Sequence, residues 1–314
     1  MKDHPVISVI IPSYNSERTI TDCLDSLVDQ SYEGDFEIMV VDSSRDRTPE
    51  IVAAGYPGVK LIHLASKTDP GTARNLGIEQ ATGEIIAFTD SDCTVKYNWL
   101  EKISVVHQDS YNVVGGIIGN SPRSDDLVGR AGYMAEFRDF VPGNTKQEVN
   151  HIPTCNVSYK KRVFRDFGLF QGEYYPQEDL VFNSGLRKQG EKILLDPAIQ
   201  VWHQQRTGLG EFLYHQSRIG KATSRVLKKV PMEGSSIAKH PLLALCLTPF
   251  ITLVKFIRTV RVFMHHQPKF IKGQPMVLPV FALGLVGWAI GFVGGAYVGN
   301  HRDQKRQNNL GQNN

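Results

Sequence analysis

The sequence is poor in cysteine, and the four cysteines that it has are far apart. They form no Cys-x-x-Cys pair and no other spacing typical of a zinc site, which excludes a small domain stabilised by metal or disulfides. Low-complexity tracts and fixed-period repeats are also missing, while 41% of the 314 residues are hydrophobic. This composition excludes an intrinsically disordered chain and allows about two domains.

Acidic residues are nearly missing from residues 212–272, here named the basic segment. It contains eleven Lys and Arg residues and a single acid, Glu233, and carries a net charge of +10, whereas residues 1–211 carry −9. A segment with this charge favours nucleic acid or anionic lipid as a partner.

Charge is missing completely from residues 276–299, shortly after the basic segment. As a helix, these 24 residues would be about 36 Å long, enough to cross a hydrocarbon core of about 30 Å. Lys and Arg flank the run on both sides, so we predict a transmembrane helix. A shorter uncharged run at residues 241–254 predicts an interfacial or re-entrant helix, with a second crossing left open. The predicted partner of the basic segment is therefore anionic lipid and not nucleic acid.

The N-terminal sequence shows no signal peptide, because its apolar run is short and passes directly into a turn. Unpaired thiols are typical of a reducing compartment, and Lys and Arg are enriched on the cytoplasmic side of membrane proteins. We therefore expect a membrane-associated protein whose main body lies on the cytoplasmic side of the cell membrane.

Two periodicities alternate in the first hundred residues. Apolar, β-rich runs predict strands at residues 6–11, 36–41, 59–64 and 84–88. Helical spacing predicts helices at residues 20–28, 48–54 and 70–81. Such alternation is typical of an α/β fold, a Rossmann-like and mostly parallel sheet with helices on both faces.

The pattern changes after about residue 111. Residues 122–150 are polar and predict an irregular stretch. Around it we predict strands at residues 113–118, 154–159, 193–195 and 199–202, and helices at residues 160–166, 178–188 and 210–229.

Small polar and acidic residues follow three of the predicted strands. They are Pro12, Ser13, Tyr14 and Asn15 after the first strand, Asp42, Ser43 and Ser44 after the second, and Asp90, Ser91 and Asp92 after the fourth. Because ligands of parallel sheets bind beyond the carboxyl ends of the strands, these residues predict a binding site at that edge of the sheet.

The tripeptide Asp90-Ser91-Asp92 is the sharpest local signal. In an extended chain its two carboxylates project to the same side, about 6.5 Å apart. They predict a site for Mg²⁺ or Mn²⁺ shared with a diphosphate, since hard oxygen ligands suit these ions. A simple turn is the alternative, because Asp and Ser are common turn residues.

Two residues near the other strand ends are candidate ligands of a nucleotide. Asp42 is predicted to accept hydrogen bonds from a nucleobase or ribose, with a role in the turn as the alternative. Ser44 is predicted to cap the helix that begins at Thr48, which would leave Asp42 available. Arg74 lies near a helix start that could face phosphates, although a solvent-exposed arginine is the better local interpretation.

Three residues in the second half are candidates for catalysis. Glu178 and Asp179 open a predicted helix, where acids are ordinary because they complement the helix dipole. The functional interpretation is that one carboxylate acts as a general base on an attacking hydroxyl. His203 follows a strand and would complete a metal site if it faced the carboxylate pair, although a lone histidine is more often structural.

The order of these motifs resembles the inverting glycosyltransferases of family 2, which have a GT-A fold. The segments that carry the resemblance are SVIIPSYNSERTITDCLDSL, FEIMVVDSSRDRT, GTARNLGI, GEIIAFTDSD, TCNVSYKKRVFRDFGLF, QEDLVFNSGLRKQG and VWHQQ. The resemblance covers about residues 6–225. It implies a catalytic domain at residues 1–230, with a nucleotide-binding half (1–110) and an acceptor half (111–230), followed by a basic membrane-associated segment (231–275), the transmembrane helix (276–299) and a polar tail (300–314).

The resemblance also implies a role for each candidate residue. Asp90 and Asp92 correspond to the metal-binding DxD element, with Asp92 the more direct ligand of Mg²⁺ or Mn²⁺, and His203 corresponds to a late metal or diphosphate contact. Asp179 corresponds to the catalytic base, with Glu178 beside it. The residues implied to bind the nucleotide-sugar donor are Pro12, Tyr14, Asn15, Asp42, Ser43, Arg74, Asp90 and Ser91.

The resemblance implies the transfer of one sugar with inversion, from a nucleotide-diphosphate sugar, in particular a UDP-sugar. The Gln-x-x-Arg-Trp element of processive polysaccharide synthases does not follow Asp179. The uncharged run and the basic segment favour a membrane-proximal saccharide acceptor, such as a lipid-linked one, as in cell-envelope polysaccharide biosynthesis. A polyprenyl-phosphate sugar synthase and a catalytically silent, membrane-bound scaffold that binds nucleotide sugars are the alternatives.

Overall fold

The structure is a computed structural model that describes residues 4–310, with side chains described through residue 298. Two compact units make up the chain. Unit 1 contains Met1–Arg123 and Phe140–Gln205, and unit 2 contains Ser124–Asp139 and Arg206–Asn314. The domain boundaries expected from the sequence remain a prediction, and residues 311–314 of the predicted polar tail lie outside the described residues.

The strands of the described chain form one nine-stranded sheet in unit 1. In chain order they are β1 (Ile7–Ser13), β2 (Phe36–Asp42), β3 (Val59–His63), β4 (Ile85–Phe88), β5 (Cys93–Val95), β6 (Val113–Asn120), β7 (Gln147–Val149), β8 (Val157–Lys160) and β9 (Ile193–His203). The sheet order is β3-β2-β1-β4-β8-β6-β9-β5, and β7 pairs with β9.

The α-helices are, in chain order, α1 (Ile20–Val28), α2 (Thr48–Gly55), α3 (Pro70–Gln80), α4 (Trp99–His107), α5 (Leu127–Phe137), α6 (Arg162–Phe167), α7 (Glu178–Lys188), α8 (Leu209–Lys229), α9 (Ser235–Lys239), α10 (Pro241–His266), α11 (Pro268–Lys272) and α12 (Val277–Leu310). Short 3₁₀ helices occur at Pro122–Ser124, Arg138–Phe140, Thr154–Asn156 and Gly172–Tyr174. Helices α5 and α8 to α12 belong to unit 2.

The first four strands are parallel, as the alternating pattern predicts. Strands β1 and β4 are buried along their whole length, which explains their continuous apolar runs. The register pairs Ser13 with Asp42 and Ile10 with Phe88. The residues after β1, β2 and β4 therefore leave the sheet at the same edge, and the α/β prediction is confirmed.

A cluster of five buried aromatic rings supports this edge of the sheet. Phe88 at the end of β4 contacts Tyr159 on β8, and Phe170 lies 5.6 Å from the Phe88 ring centre and 4.9 Å from that of Phe182 on α7. Phe164 on α6 stacks on Phe182 at 5.6 Å. Aromatic pairs of this kind contribute about 0.5–1.5 kcal/mol each beyond their buried area. The cluster thus fixes the end of β4 relative to the start of α7.

The stretch at residues 122–150 is not irregular throughout, and this prediction is wrong for its central part. Helix α5 forms there because Asp126 caps it, accepting hydrogen bonds from Val128 N at 2.8 Å and Gly129 N at 2.9 Å. Its buried face carries small and aromatic residues, and this spacing was hidden by the polar residues around it.

The predicted strand at residues 154–159 is in fact a 3₁₀ turn followed by β8. The helix predicted to end at residue 254 continues to His266 as α10. The prediction ended at the first charged residue, Lys255, but Lys and Arg are good helix formers and do not stop a helix.

Two helices of unit 2, Pro241–His266 and Val277–Val298, are long and apolar enough to cross a membrane by length and composition. Apolar side chains of α10 and α12 form a small core with α9: Ala238, Ala244, Trp288, Phe292 and Ala296 are buried together. Both helices thus combine a packed face with exposed apolar residues.

Gly116 in β6 provides a test of the sheet. A Cβ at this position would overlap the carbonyl oxygen of Ile199 in β9, where the pairing of the two strands shifts register. We expect Gly116→Ala to lower the free energy of unfolding by about 1–3 kcal/mol, because backbone has to move. Thermal unfolding followed by circular dichroism measures the change.

The matched control is Gly185→Ala in α7, where a Cβ would meet no atom within 4 Å. This substitution should stabilise the helix by about 0.5–1 kcal/mol, since alanine loses less backbone entropy than glycine. A Gly116→Ala variant as stable as the control would contradict the described β6–β9 packing.

Candidate active site

Asp42, at the end of β2, is fully buried and is held by its neighbours. Its carboxylate accepts hydrogen bonds from Ser44 N at 3.0 Å and Ser44 Oγ at 2.5 Å, and it lies 2.8 Å from His63 Nδ1. At the start of α2, Asp46 accepts hydrogen bonds from Thr48 N at 3.0 Å and from Thr48 Oγ1 at 2.6 Å. Ser44 bonds to Asp42 instead of to α2, so the prediction that Ser44 caps this helix is wrong. The role of Asp42 as a nucleotide ligand remains a prediction.

The loop after β1 is joined to the loop after β2. Asn15 has a φ of 53°, a left-handed conformation that asparagine tolerates. Its N–H donates to Ser44 Oγ at 2.7 Å, and its Oδ1 accepts from Arg45 N at 3.0 Å. Tyr14 is left partly exposed beside this turn, with Lys67 Nζ 3.8 Å from the centre of its ring. An aromatic ring and a cation therefore lie together at this edge.

The remaining donor candidates help to shape the same loops. Pro12 is buried within β1, and Ser43 accepts a hydrogen bond from Thr68 N at 3.3 Å. Ser91 Oγ lies 2.7 Å from Ser16 Oγ, which joins the loop after β4 to the loop after β1. All three predicted strand ends are thus linked by hydrogen bonds.

Arg74 connects the end of β4 with the start of α7. Its side chain is only 3% exposed. Nη2 donates to Asp90 Oδ1 at 2.6 Å, and Nη1 donates to Glu178 Oε1 at 3.0 Å. The interpretation of Arg74 as a solvent-exposed helix residue is therefore wrong, and two motifs 88 residues apart in sequence meet at one guanidinium.

This cluster has unusual electrostatics. Burial and the nearby charge of Asp179 raise the pKa of Glu178 to about 7, although Arg74 acts in the opposite direction. Burial lowers the pKa of Arg74, but the carboxylates of Asp90 and Glu178 outweigh it and raise that pKa above its ordinary value. Within residues 4–298, Arg74 Nε and Glu178 Oε2 are buried without a hydrogen-bond partner. Buried polar atoms of this kind are typical of sites that bind a ligand or ordered water.

The carboxylate of Asp179, next to Glu178, is oriented by three hydrogen bonds. Oδ1 accepts from Leu180 N at 2.7 Å, while Oδ2 accepts from Thr154 N at 3.2 Å and from Thr154 Oγ1 at 3.5 Å. His151 Nε2 lies 4.0 Å from Oδ2. Donors of this kind fix the direction in which the carboxylate points, and a general base must be oriented towards the proton that it takes.

A second pair of polar groups lies where β5 meets β9. The antiparallel register places Cys93 opposite His203, and His203 Nε2 is 3.4 Å from Asp92 Oδ1. Gln205 Nε2 lies 3.0 Å from His203 Nδ1 and orients the ring. A carboxylate and an imidazole suit a divalent ion such as Mn²⁺ or Mg²⁺.

Cys93 completes a group of three potential ligands whose donor atoms lie within 4.8 Å of one another. Burial raises the pKa of its thiol well above the ordinary value, and sulfur is a soft ligand that suits Mg²⁺ or Mn²⁺ less well than oxygen does. The donor set that fits a hard cation is therefore Asp92 with His203.

The thiol of Cys155 is influenced by residues of both clusters. Its hydrogen bond with Cys93 lowers the pKa of the Cys155 thiol, burial raises it, and the charges of Asp90, Asp92 and Asp179 raise it further. The net pKa is above the ordinary value. All three carboxylates therefore contribute to the electrostatic environment of this buried thiol.

The profile of the family described as "Glycosyl transferase family 2" matches residues 8–168, about half of the chain. The chain is a family 2 glycosyltransferase. The family and the enzyme class that the motifs predict are confirmed.

Relatives of this glycosyltransferase agree with the assignment. It is similar to glycosyltransferase AglE of Haloferax volcanii, with 30% identity over 232 residues that cover 71% of this chain and 74% of AglE. It is also similar to glycosyltransferase GlyG of Streptococcus pneumoniae, with 32% identity over 189 residues that cover 58% of this chain and 61% of GlyG.

The fold of the glycosyltransferase is similar to that of TarS from Staphylococcus aureus. A crystal structure of TarS residues 1–349 with UDP-GlcNAc aligns with a TM-score of 0.52 and 21% identity, over 91% of this chain and 90% of that chain. The GT-A fold expected from the motifs is confirmed.

The sequence analysis did not identify several residues of the candidate site. His63, His151 and Thr154 have no local signal, since each becomes part of the site only through a strand or turn far away in sequence. Gln205 could have been found, because it lies two residues after His203 on the same strand end and carries an amide that can orient a ring.

The raised pKa of Glu178 predicts how stability depends on pH. The folded-state pKa of about 7 lies above the ordinary value of 4.5, so the native state binds more protons between these two pH values. Stability should then fall as pH rises through this window, by at most about 3 kcal/mol. Glu178→Gln, which keeps an oxygen for Arg74, should flatten this fall. Urea unfolding from pH 4.5 to 8 measures it.

Glu101→Gln is the matched control, since the Glu101 side chain is 43% exposed and lies 3.1 Å from Lys102, its salt-bridge partner. This variant should keep the pH dependence of the parent. An identical slope in the parent and in Glu178→Gln would contradict the assigned environment of Glu178.

Proposed function

We propose that this glycosyltransferase moves one sugar from a nucleotide-diphosphate sugar to a hydroxyl of a membrane-proximal, lipid-linked saccharide, with inversion at the anomeric carbon. The observation that carries the proposal is the buried Arg74, which joins Asp90 to Glu178 and so brings the DxD and Glu-Asp motifs into one cluster. A UDP-sugar is the proposed donor, and the UDP-GlcNAc held by TarS supports this choice.

The loops after β1, β2 and β4 are proposed to bind the donor nucleotide. Tyr14 offers an exposed aromatic face, and Lys67 beside it offers a positive charge for a phosphate. Asp42 and Ser43 are proposed to hold these loops in place beneath the nucleotide, since both residues are buried. Arg74 is proposed to act on the donor through Asp90, which it holds in place.

The metal is proposed to be held by Asp92 and His203, with Asp90 nearby. When bound, Mg²⁺ or Mn²⁺ neutralises the charge that develops on the departing diphosphate. Gln205 keeps the imidazole in the orientation that directs Nε2 towards Asp92.

Asp179 is proposed to be the general base. It takes the proton from the acceptor hydroxyl, whose oxygen then forms the new bond to the anomeric carbon as the bond to the diphosphate breaks. Hydrogen bonds from Thr154 and from Leu180 N hold this carboxylate in a fixed orientation. Glu178, whose pKa is about 7, is proposed to pair with Arg74 and to leave the proton transfer to Asp179.

The acceptor proposal depends on the C-terminal unit. Two apolar helices that are long enough to cross a membrane and the basic segment support attachment to anionic lipid. We propose that the catalytic unit faces the cytoplasm and that its acceptor lies in the same membrane, within cell-envelope polysaccharide biosynthesis.

Asp179→Asn tests the assignment of the base. It should reduce sugar transfer by about 10²–10⁴-fold, because asparagine cannot take the proton. Binding of UDP, measured by titration calorimetry, should change less than about threefold, since Asp179 is not assigned to the nucleotide. Asp166→Asn, at an exposed aspartate paired with Arg165, is the control and should be fully active. Full activity of Asp179→Asn, or loss of UDP binding, would refute the role.

A panel of nucleotide sugars tests the reaction class. With the full chain and Mn²⁺, we expect release of nucleotide from one donor and growth of a lipid-linked saccharide supplied as a membrane extract. Mass spectrometry that finds the sugar directly on a polyprenyl phosphate would favour the synthase. The absence of nucleotide release from every donor would favour the silent scaffold.

The double variant Asp92→Asn with His203→Ala tests the proposed metal site. It should weaken Mn²⁺ binding about 10–100-fold, because both proposed ligands are lost. Electron paramagnetic resonance measures this binding without turnover.

A further inference from the structure

Helices α8 and α12 of unit 2 pack side by side, and they run in the same direction. The residue numbers of the contacting pairs increase together along both helices: Phe212 contacts Gly284, Ser217 contacts Gly291, and Lys221 contacts Gly295. At Gly220, Gly291 and Gly295 a Cβ would clash with the backbone of the other helix. The two backbones are therefore in direct contact, and α8 accompanies α12 over most of its apolar length.

Charged groups lie against the middle and the second half of α12. Lys255 Nζ on α10 lies 3.3 Å from the ring centre of Trp288, near the midpoint of the apolar stretch Val277–Val298. Lys228 Nζ on α8 donates to Gly295 O at 3.1 Å and to Ala296 O. One ammonium group thus contacts the centre of the apolar stretch of α12, and a second contacts it near its C-terminal end.

A transmembrane α12 would draw α8 into the hydrocarbon with it. Helix α8 carries exposed Glu211 and Arg218, next to the residues that pack on Gly284 and Gly291, and its buried Gln216 donates to Glu136 of α5 at 3.1 Å. Charges inside a bilayer are strongly unfavourable, and these acids and this arginine would lie at the depth of the apolar stretch of α12. The packing of unit 2 is therefore incompatible with an α12 that crosses the membrane.

Unit 2 nevertheless exposes two apolar surfaces. On α12 an exposed stripe follows the helical repeat: Leu283, Val286, Ile290 and Tyr297. On α10 a second exposed surface contains Leu242, Leu245, Phe250, Leu253, Val254 and Ile257. Phe256 stacks on Phe281 at 5.6 Å, so the helices that carry these surfaces are packed together.

We propose that α10 and α12 lie in the interface of one leaflet of an anionic membrane, parallel to its plane, and do not cross it. Their exposed apolar stripes enter the acyl boundary, while exposed cations of α8, α10 and α11, among them Arg225, Arg261 and Lys272, contact acidic headgroups. The positive charge of the basic segment complements acidic headgroups, so we take anionic lipid as the partner of these apolar surfaces. The inference rests on the proposed membrane attachment and is independent of sugar transfer.

Cysteine accessibility tests the topology in the full chain. In a Cys246→Ser background, single cysteines are placed before α10 (Ser236→Cys), in α11 (Lys272→Cys) and in the C-terminal tail (Asn313→Cys). Each is labelled with a membrane-impermeant maleimide in right-side-out and inside-out vesicles from expressing cells. We expect all three to react from the same side, the cytoplasmic one, with equal yield.

Other labelling patterns overturn the proposal. If Lys272→Cys alone reacts from the opposite side, α10 and α12 cross as a hairpin. If Asn313→Cys alone does so, α12 crosses by itself. Neither pattern affects the proposed reaction, whose failure would show in the donor panel and not in the labelling.

Vesicle flotation tests the lipid partner. The full chain should bind vesicles of phosphatidylglycerol and phosphatidylcholine, and binding should fall about tenfold or more on phosphatidylcholine alone. Ile290→Glu should reduce binding about fivefold or more. The matched control Val105→Glu, at an exposed apolar residue of α4 in unit 1, should leave it unchanged. Equal binding to both vesicles, or a stable dimer that does not float, would refute the proposal.

Discussion

The site of this glycosyltransferase depends on one buried cation. The guanidinium of Arg74 is removed from water and is compensated by Asp90 on one side and Glu178 on the other. Loss of one partner would leave the buried guanidinium with a single carboxylate, and breaking a buried ion pair destabilises proteins by about 3–5 kcal/mol. The aromatic cluster beneath keeps β4 and α7 at the separation that this bridge requires. Catalytic geometry and local stability therefore depend on the same contacts.

Neighbouring carboxylates in this site have different surroundings. Glu178 is buried beside another acid, so its pKa rises to about 7, whereas Asp179 receives hydrogen bonds from Thr154 and a backbone N–H. Such a difference separates a residue that holds an arginine from a residue able to accept a proton. Asp92 and His203 form a separate pair that suits a cation. Arg74, Asp179 and the Asp92–His203 pair are thus distinct groups, each suited to a different part of the proposed reaction.

In unit 2, the packing of α8 against α12 limits how the apolar helices can be placed in a membrane, and hydrophobicity alone does not determine this placement. An uncharged run of 24 residues predicts a membrane span, but the run does not show which helices pack against it in the folded protein. Glycines allow α8 to lie against α12, and this packing places Lys228 of α8 in contact with α12. The same glycines are typical of helix packing in lipid, so their presence alone could not distinguish the two arrangements.

The sequence alone determined the α/β class, most element positions in the first hundred residues, and the family, because strand burial and helix periodicity are local properties and the motifs keep their order. It also identified Asp90, Asp92, Asp179 and His203 as candidates. Only the tertiary structure decided that Arg74 is buried between two motifs and that Asp42 is bound by Ser44 and His63. These outcomes depend on pairings between distant strands and helices. Burial and hydrogen bonding are set by such neighbours, which no local pattern encodes.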